Sequence, residues 1–140
     1  MVIRLQEDCE GVDWERVAEV LLAAGLGTGG AEVRQKAFEN SDTVVFVHVD
    51  ELLVGVGRAL SDGVLQAAIY DVAVHPDHQG NGLGRLIVEN LAGRLPECNL
   101  ILFASVGKEG FYRKLGFRRL LTGMGLFRKA EAMRERGFTD

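Results

Sequence analysis

The sequence predicts an α+β fold, a mixed and mostly antiparallel central sheet with helices on both faces in an α/β/α layering. Three observations predict it. The strand-like runs Asp42–Asp50, Leu52–Leu60 and Val64–Val74 follow one another with only tight turns between them, an antiparallel meander. Two stretches with apolar residues at 3/4 spacing precede the meander. A third such stretch, from Leu83 to Leu95, separates the last meander strand from the wholly apolar run Asn99–Ser105. That strand–helix–strand order is a parallel crossover.

Taken in order, Val2–Gln6 alternates as a first strand. Asp13 caps a helix whose apolar positions are Trp14, Val17, Ala18, Leu21 and Leu22, and Gly25 stops it. The glycine-rich break Gly25–Gly30 is either a plain linker or a mobile lip over a pocket. A second short helix, Ala31–Asn40, turns Val33, Ala37 and Phe38 inward. Asp50-Glu51 makes a tight hairpin and Ser61-Asp62-Gly63 the next turn; His75-Pro76 halts the third meander strand. The helix that follows ends at Pro96, its stripe formed by Leu83, Leu86, Ile87, Asn90, Leu91 and Leu95. Asn99–Ser105 reads as a buried central strand. Gly107–Leu115 is a short helix closed by Gly116, and Phe117–Leu121 and Met124–Phe127 are expected as final strands. Residues 129–140 form a charged tail, read as a loose helix, and the chain is expected to be one domain.

Composition excludes several classes. A chain of 140 residues with net charge −4 has room for one core and shows no basic face before its tail, which argues against a nucleic-acid partner. Cys9 and Cys98 lack metal-ligand spacing, His48, His75 and His78 form no metal group, and no metal is expected. No apolar run is long enough to cross a bilayer and the first residues do not resemble a signal or transit peptide. The expected setting is cytoplasmic. His48 is read as an exposed strand residue, with a proton relay as the alternative.

The strongest local signal is the run Val72-Ala73-Val74-His75-Pro76-Asp77-His78-Gln79-Gly80-Asn81-Gly82-Leu83-Gly84-Arg85. A strand ends, the chain turns through three glycines, and a helix begins. Such a turn directs backbone N–H groups to one point, and the helix start adds the positive end of its dipole. Together they suit a pyrophosphate. The loop lacks the Gly-Lys-Ser/Thr of a P-loop, and no acid follows the next strand as a dinucleotide fold requires. Arg85 either adds a charged contact or faces water.

Gln79-x-x-Gly82-x-Gly84, preceded by Val72-Ala73-Val74-His75-Pro76, resembles the acetyl-CoA signature of the GNAT superfamily of N-acyltransferases. Gly110-Phe111-Tyr112-Arg113-Lys114-Leu115-Gly116-Phe117 resembles its second signature, and the element order agrees over nearly the whole chain. The resemblance implies an N-acetyltransferase that moves an acetyl group from acetyl-CoA, as cosubstrate, to a primary amine by direct attack in a ternary complex. It implies that Val72, Ala73 and Val74 pair with the pantetheine arm and polarise the thioester. Gln79, Gly80, Asn81, Gly82, Leu83, Gly84 and Arg85 would hold the pyrophosphate. Tyr112 matches the tyrosine that protonates the leaving thiolate, with Phe111 and Lys114 beside it; Lys114 either touches CoA or faces water. Asp71, a charge inside an apolar strand, binds the cationic amine, relays its proton, or pairs with an arginine such as Arg58. Strict alternation would put Asp71 and Tyr70 on opposite faces, with Tyr70 either lining the acceptor cleft or part of the core. The acceptor is read as a small-molecule amine. A protein lysine or N-terminal amine is the first alternative, and a non-catalytic acyl-CoA-binding module the second. The last strands also suit a homodimer contact.

Overall fold

Five strands form one sheet in the order β1-β2-β3-β4-β5: β1 Ile3–Gln6, β2 Thr43–Val49, β3 Leu52–Ser61, β4 Gln66–Val74 and β5 Asn99–Ile101. The first three junctions are antiparallel, and β4 runs parallel to β5. The computed structural model describes residues 1–140, which fall into two compact units, Met1–Leu102 and Phe103–Asp140.

In the first unit, helix α1 (Trp14–Ala23) begins where the Asp13 carboxylate accepts the Arg16 N–H, and α2 (Ala31–Glu39) follows the glycine break. Val17, Val20 and Leu21 of α1 and Phe38 of α2 pack with Val44, Phe46, Leu53, Val56 and Ala73 into one core. Trp14, Phe38 and Phe46 meet there as rings 5.4 to 5.9 Å apart, within the range that favours tilted and edge contacts. Helix α3 (Leu83–Gly93) covers the opposite face. It lies so close to β3 that a Cβ on Gly57 would stand 2.5 Å from Ile87 Cγ2. Glycine at position 57 is therefore what seats α3, and α3 in turn fixes the loop that precedes it.

Two turns set the meander's register. Asp50 and Glu51 both adopt positive φ, as a two-residue hairpin requires. One carboxylate oxygen of Asp62 accepts the N–H groups of Val64, Leu65 and Gln66, and these bonds hold the carboxyl below its ordinary value. That clamp delays the third strand to Gln66, and Val64 and Leu65 stay exposed.

In the second unit, α4 (Glu109–Lys114) ends in a Schellman motif. The Gly116 N–H donates to Arg113 O and the Phe117 N–H to Tyr112 O, while the Phe117 and Tyr112 rings meet at 5.6 Å. Helix α5 (Ala130–Glu135) occupies the charged tail.

Several expectations from the sequence are corrected. Asn99–Ser105 yields only the three-residue β5 at a sheet edge, half exposed, because a strand with a single partner needs no second apolar face. Phe117–Leu121 and Met124–Phe127 form no strands; they lack a ladder partner, and Met124 is 96% exposed. Val33 is 67% exposed because α2 sends only Phe38 fully into the core, and Leu22 is also exposed. His48 is buried, because β1 pairs outside β2 and places Arg4 opposite it.

Candidate active site

The glycine loop is built as the sequence demands. After β4 a single 3-10 turn, Pro76–His78, is set by the His75 Nδ1, which accepts the Asp77 N–H at 3.2 Å. Gln79 Nε2 then donates to Val74 O at 2.8 Å, tying the loop back to the strand end. Gly80 and Gly82 adopt φ of +82° and +78°, and Gly82 is the N-cap of α3 with no side-chain cap. The left-handed conformation is costly for residues with a Cβ. The backbone N–H groups from Gly80 to Arg85 donate to nothing within the chain. A run of free amides at a helix start, with the helix dipole behind it, is an arrangement able to receive an anion. Arg85 is engaged with Glu89 at 2.7 Å, an exposed pair one helical turn apart. Leu83 is buried and anchors the first turn.

Beside the loop, β4 offers an open backbone edge. Its pairing with β5 covers only Gln66 to Ala68, so from Ile69 to Val74 its one strand partner is β3. Val72, Ala73 and Val74 lie on that stretch.

Asp71 breaks the strand's alternation. It takes φ +56°, and the register with β3 slips there: Val56 pairs with Ala73 but Arg58 with Tyr70, so Asp71 and Val72 together face Gly57. This is a β-bulge. It brings Tyr70, Asp71 and Ala73 toward the α1–α2 face, correcting the expectation that Tyr70 and Asp71 point apart. Arg58 Nε donates to Asp71 Oδ2 at 2.7 Å, and Arg34 Nη1 to Oδ1 at 3.4 Å. The Arg58 guanidinium also sits 5.2 Å from the Tyr70 ring centre. Arg34 Nη2 reaches on to Leu26 O at 3.0 Å, and a Cβ on Gly29 would stand 3.0 Å from Arg34 Nε. The break Gly25–Gly30 is thereby tied to β4 through one guanidinium. Arg34 was not singled out from the sequence; its only signal was its place in the turn after Gly29-Gly30.

In the second unit Tyr112 lies on α4, with the Phe111 ring at 4.9 Å and the Phe117 ring at 5.6 Å. Burial raises its phenol above the ordinary tyrosine value. Within this unit its hydroxyl makes no hydrogen bond. Lys114, two residues further along the same helix, is exposed.

The family model of the acetyltransferase (GNAT) domain matches residues 40–119, a span that holds both the glycine loop and the Tyr112 helix. The chain belongs to the GNAT acetyltransferase family. This GNAT chain is 32% identical over 118 residues to the chloroplastic GCN5-related N-acetyltransferase 1 of Arabidopsis thaliana, covering 81% of this chain and 60% of that protein. It is 33% identical over 131 residues to the chloroplastic serotonin N-acetyltransferase 2 of Oryza sativa, covering 86% and 66% of the two chains. A histone acetyltransferase of Glycine max is 35% identical over 130 residues, with 83% and 51% covered. The chain thus spans about 60% of the length of the first curated relatives it matches. Among solved structures, a GNAT-family acetyltransferase of Streptococcus pneumoniae superposes with TM-score 0.78 at 26% identity, covering 91% of this chain and 99% of that one. GNAT acetyltransferases use acetyl-CoA as cosubstrate, and no helix of this chain is long and apolar enough to cross a membrane.

Proposed function

We propose that the chain transfers the acetyl group of acetyl-CoA directly to the primary amine of a small molecule, with both substrates bound together. The observation that carries this reading is the unbroken run of unpartnered amides from Gly80 to Arg85 at the start of α3. These amides receive the pyrophosphate, with Gln79 fixing the loop and Arg85 at its rim. The open edge of β4 at Val72 to Val74 pairs with the pantetheine arm, and an N–H of that edge polarises the thioester carbonyl.

The amine nitrogen attacks the carbonyl carbon and a C–N bond forms. The C–S bond then breaks, and the nitrogen releases its surplus proton to water. Tyr112 gives its proton to the departing sulfur and regains one from solvent. A phenol whose value is raised by burial keeps that proton throughout the neutral range. Phe111 packs beside it, and Lys114 is exposed on the same helix.

Asp71 is assigned a positioning role. Both of its oxygens already accept guanidinium N–H groups, which leaves little acceptor capacity for a substrate proton. Through Arg34, which also donates to Leu26 O, it ties the Gly25–Gly30 lip to β4. A tied lip supports a small acceptor over a protein segment, which needs an open groove. Named relatives include proteins that act on serotonin and on histones, so the acceptor test compares both classes.

The test is release of CoA thiol with a panel of arylalkyl and aliphatic amines and lysine peptides. Turnover with free amines and little with peptides is expected. Tyr112→Phe keeps acetyl-CoA affinity and lowers turnover at least tenfold, since general acid catalysis contributes roughly 10²–10⁴. Acetyl-CoA binding with no turnover across the panel would support the binding-module alternative and refute this reading.

A further inference from the structure

Two guanidiniums share one carboxylate at the β4 bulge. Arg58 and Arg34 both donate to Asp71, and all three side chains are largely buried. No second acid offsets the pair. Glu39 accepts from Gln35 at 3.2 Å, both oxygens of Asp42 are taken by Ser61 and Thr43, and Glu32 is exposed on α2. The cluster therefore carries one uncompensated positive charge. A charge so far from bulk solvent is screened little by salt, and it is costly to the fold until an anion meets it.

The donors are as unbalanced as the charge. Each guanidinium has five N–H groups in a fixed fork. Arg58 places Nε on Asp71 and Nη1 on Ser41 Oγ at 3.2 Å, while its Nη2 makes no hydrogen bond and is open to solvent. Arg34 places Nη1 on Asp71 and Nη2 on Leu26 O, and its Nε is buried with no acceptor. Nε and Nη2 form one edge of the guanidinium, suited to two oxygens at once. The lip covers that edge with Gly29 and gives it a single oxygen, that of Leu26.

The position of this charge limits what it can read. Asp71 directly precedes Val72 and turns toward the α1–α2 face, beside the edge that meets the thioester. A simple alkylammonium is repelled by a net cation there. A carboxylate is drawn to it, and its paired oxygens match a guanidinium fork. The same charge favours the unprotonated form of a neighbouring amine, which is the form that attacks. An acceptor that carries both groups meets both demands.

We propose that Arg58 and Arg34 determine the specificity of the acceptor site, and that the acceptor is a primary amine bearing a carboxylate, an amino acid in chemical class. The inference rests on the acetyl-transfer reading above and narrows its acceptor. Asp71 aligns the two forks. The acceptor's carboxylate takes the N–H groups of Arg58 Nη2 and displaces Leu26 O from Arg34.

The experiment compares matched amines with and without a carboxylate: L-phenylalanine with 2-phenylethylamine, and 4-aminobutanoate with n-propylamine. A further arm, 2-aminoethyl phosphate, separates anionic charge from carboxylate shape. Two quantities are measured on the whole chain: kcat/KM from release of CoA thiol, and calorimetric affinity for the CoA-saturated protein. The ratio within each pair is read, because a variant that loosens the Asp71 tie lowers both members together. The carboxylated member of at least one pair is expected to lead by about tenfold or more in both quantities, since a site built for a polar group rejects the analogue that lacks it. Arg58→Gln and Arg34→Gln should each cut that preference by about fivefold or more, and Arg58→Lys, which keeps the charge without the fork, should fall between wild type and Arg58→Gln. Equal affinity and equal kcat/KM within both pairs, a preference unchanged in Arg58→Gln and Arg34→Gln, or stronger use of the phosphate than of either carboxylate would overturn the proposal and leave the acetyl-transfer reading in place. Carboxylate-selective binding without release of CoA thiol by any compound would support the acceptor site and overturn the transfer reading instead. Absence of binding by every compound would overturn the proposal as well.

Discussion

The role of Asp71 is decided by replacing it with asparagine. Asparagine tolerates the φ of +56° that the bulge imposes, so the substitution removes charge while leaving the backbone unstrained. Two guanidiniums, 13% and 17% exposed, then face a neutral amide. The 2.7 Å bond from Arg58 is a charge-assisted one, and such bonds contribute about 1.5–3 kcal/mol. The 3.4 Å contact to Arg34 is long and adds a few tenths at most. Partial solvent screening reduces the sum, giving a loss of about 1–2.5 kcal/mol. For a chain of this size that is a fall in melting temperature of roughly 3–8 °C. Since Arg34 no longer ties the lip to β4, the KM for the amine is expected to rise more than kcat falls, with acetyl-CoA affinity retained. Thermal melts and steady-state kinetics on the same preparations measure both. A melting temperature within a degree of wild type, combined with a kcat loss beyond a hundredfold, would refute the positioning argument and return Asp71 to the role of general base.

Three further outcomes are expected. Gly82→Val forces a β-branched residue to φ +78° and sets a side chain beside the free amides, so calorimetry should show acetyl-CoA affinity lost while the fold persists; tight binding would remove the loop from its assignment. Gly57→Ala drives a methyl against Ile87 and Leu91 and should cost about 1–3 kcal/mol in denaturant titration, with a lower affinity for acetyl-CoA as α3 shifts. Burial first, and then the charge of Arg4, hold the His48 imidazole below its ordinary value. The folded state therefore disfavours the proton that the unfolded chain accepts near pH 6.5. Its contribution to stability is complete above that value and declines as pH falls through and below it. Melting curves between pH 7 and 5 should show that decline, and His48→Gln should flatten it.

How far the sequence could be read varies with the range of the forces involved. The helix bounded by Asp13 and Gly25, the hairpin at Asp50-Glu51 and the clamp at Asp62 are local, since each is set by a side chain or a φ preference within a few residues. The glycine loop was legible for the same reason, since positive φ at Gly80 and Gly82 and free amides at a helix start follow from neighbouring residues. Strand partners were not. Phe117–Leu121 and Met124–Phe127 have strand composition, yet a strand exists only where a ladder is formed. The same limit let Asn99–Ser105 pass for a buried strand.

By itself, then, the sequence determined the order of elements up to the α4 helix, the meander and the glycine turn, because periodicity and turn chemistry act over a few residues. Only the tertiary structure decided that Asp71 sits in a bulge between Arg34 and Arg58, and that His48 is buried beneath Arg4. Those facts depend on which distant strands and helices meet. Contacts between residues 37 or 44 positions apart arise from packing and register, and no local pattern records them.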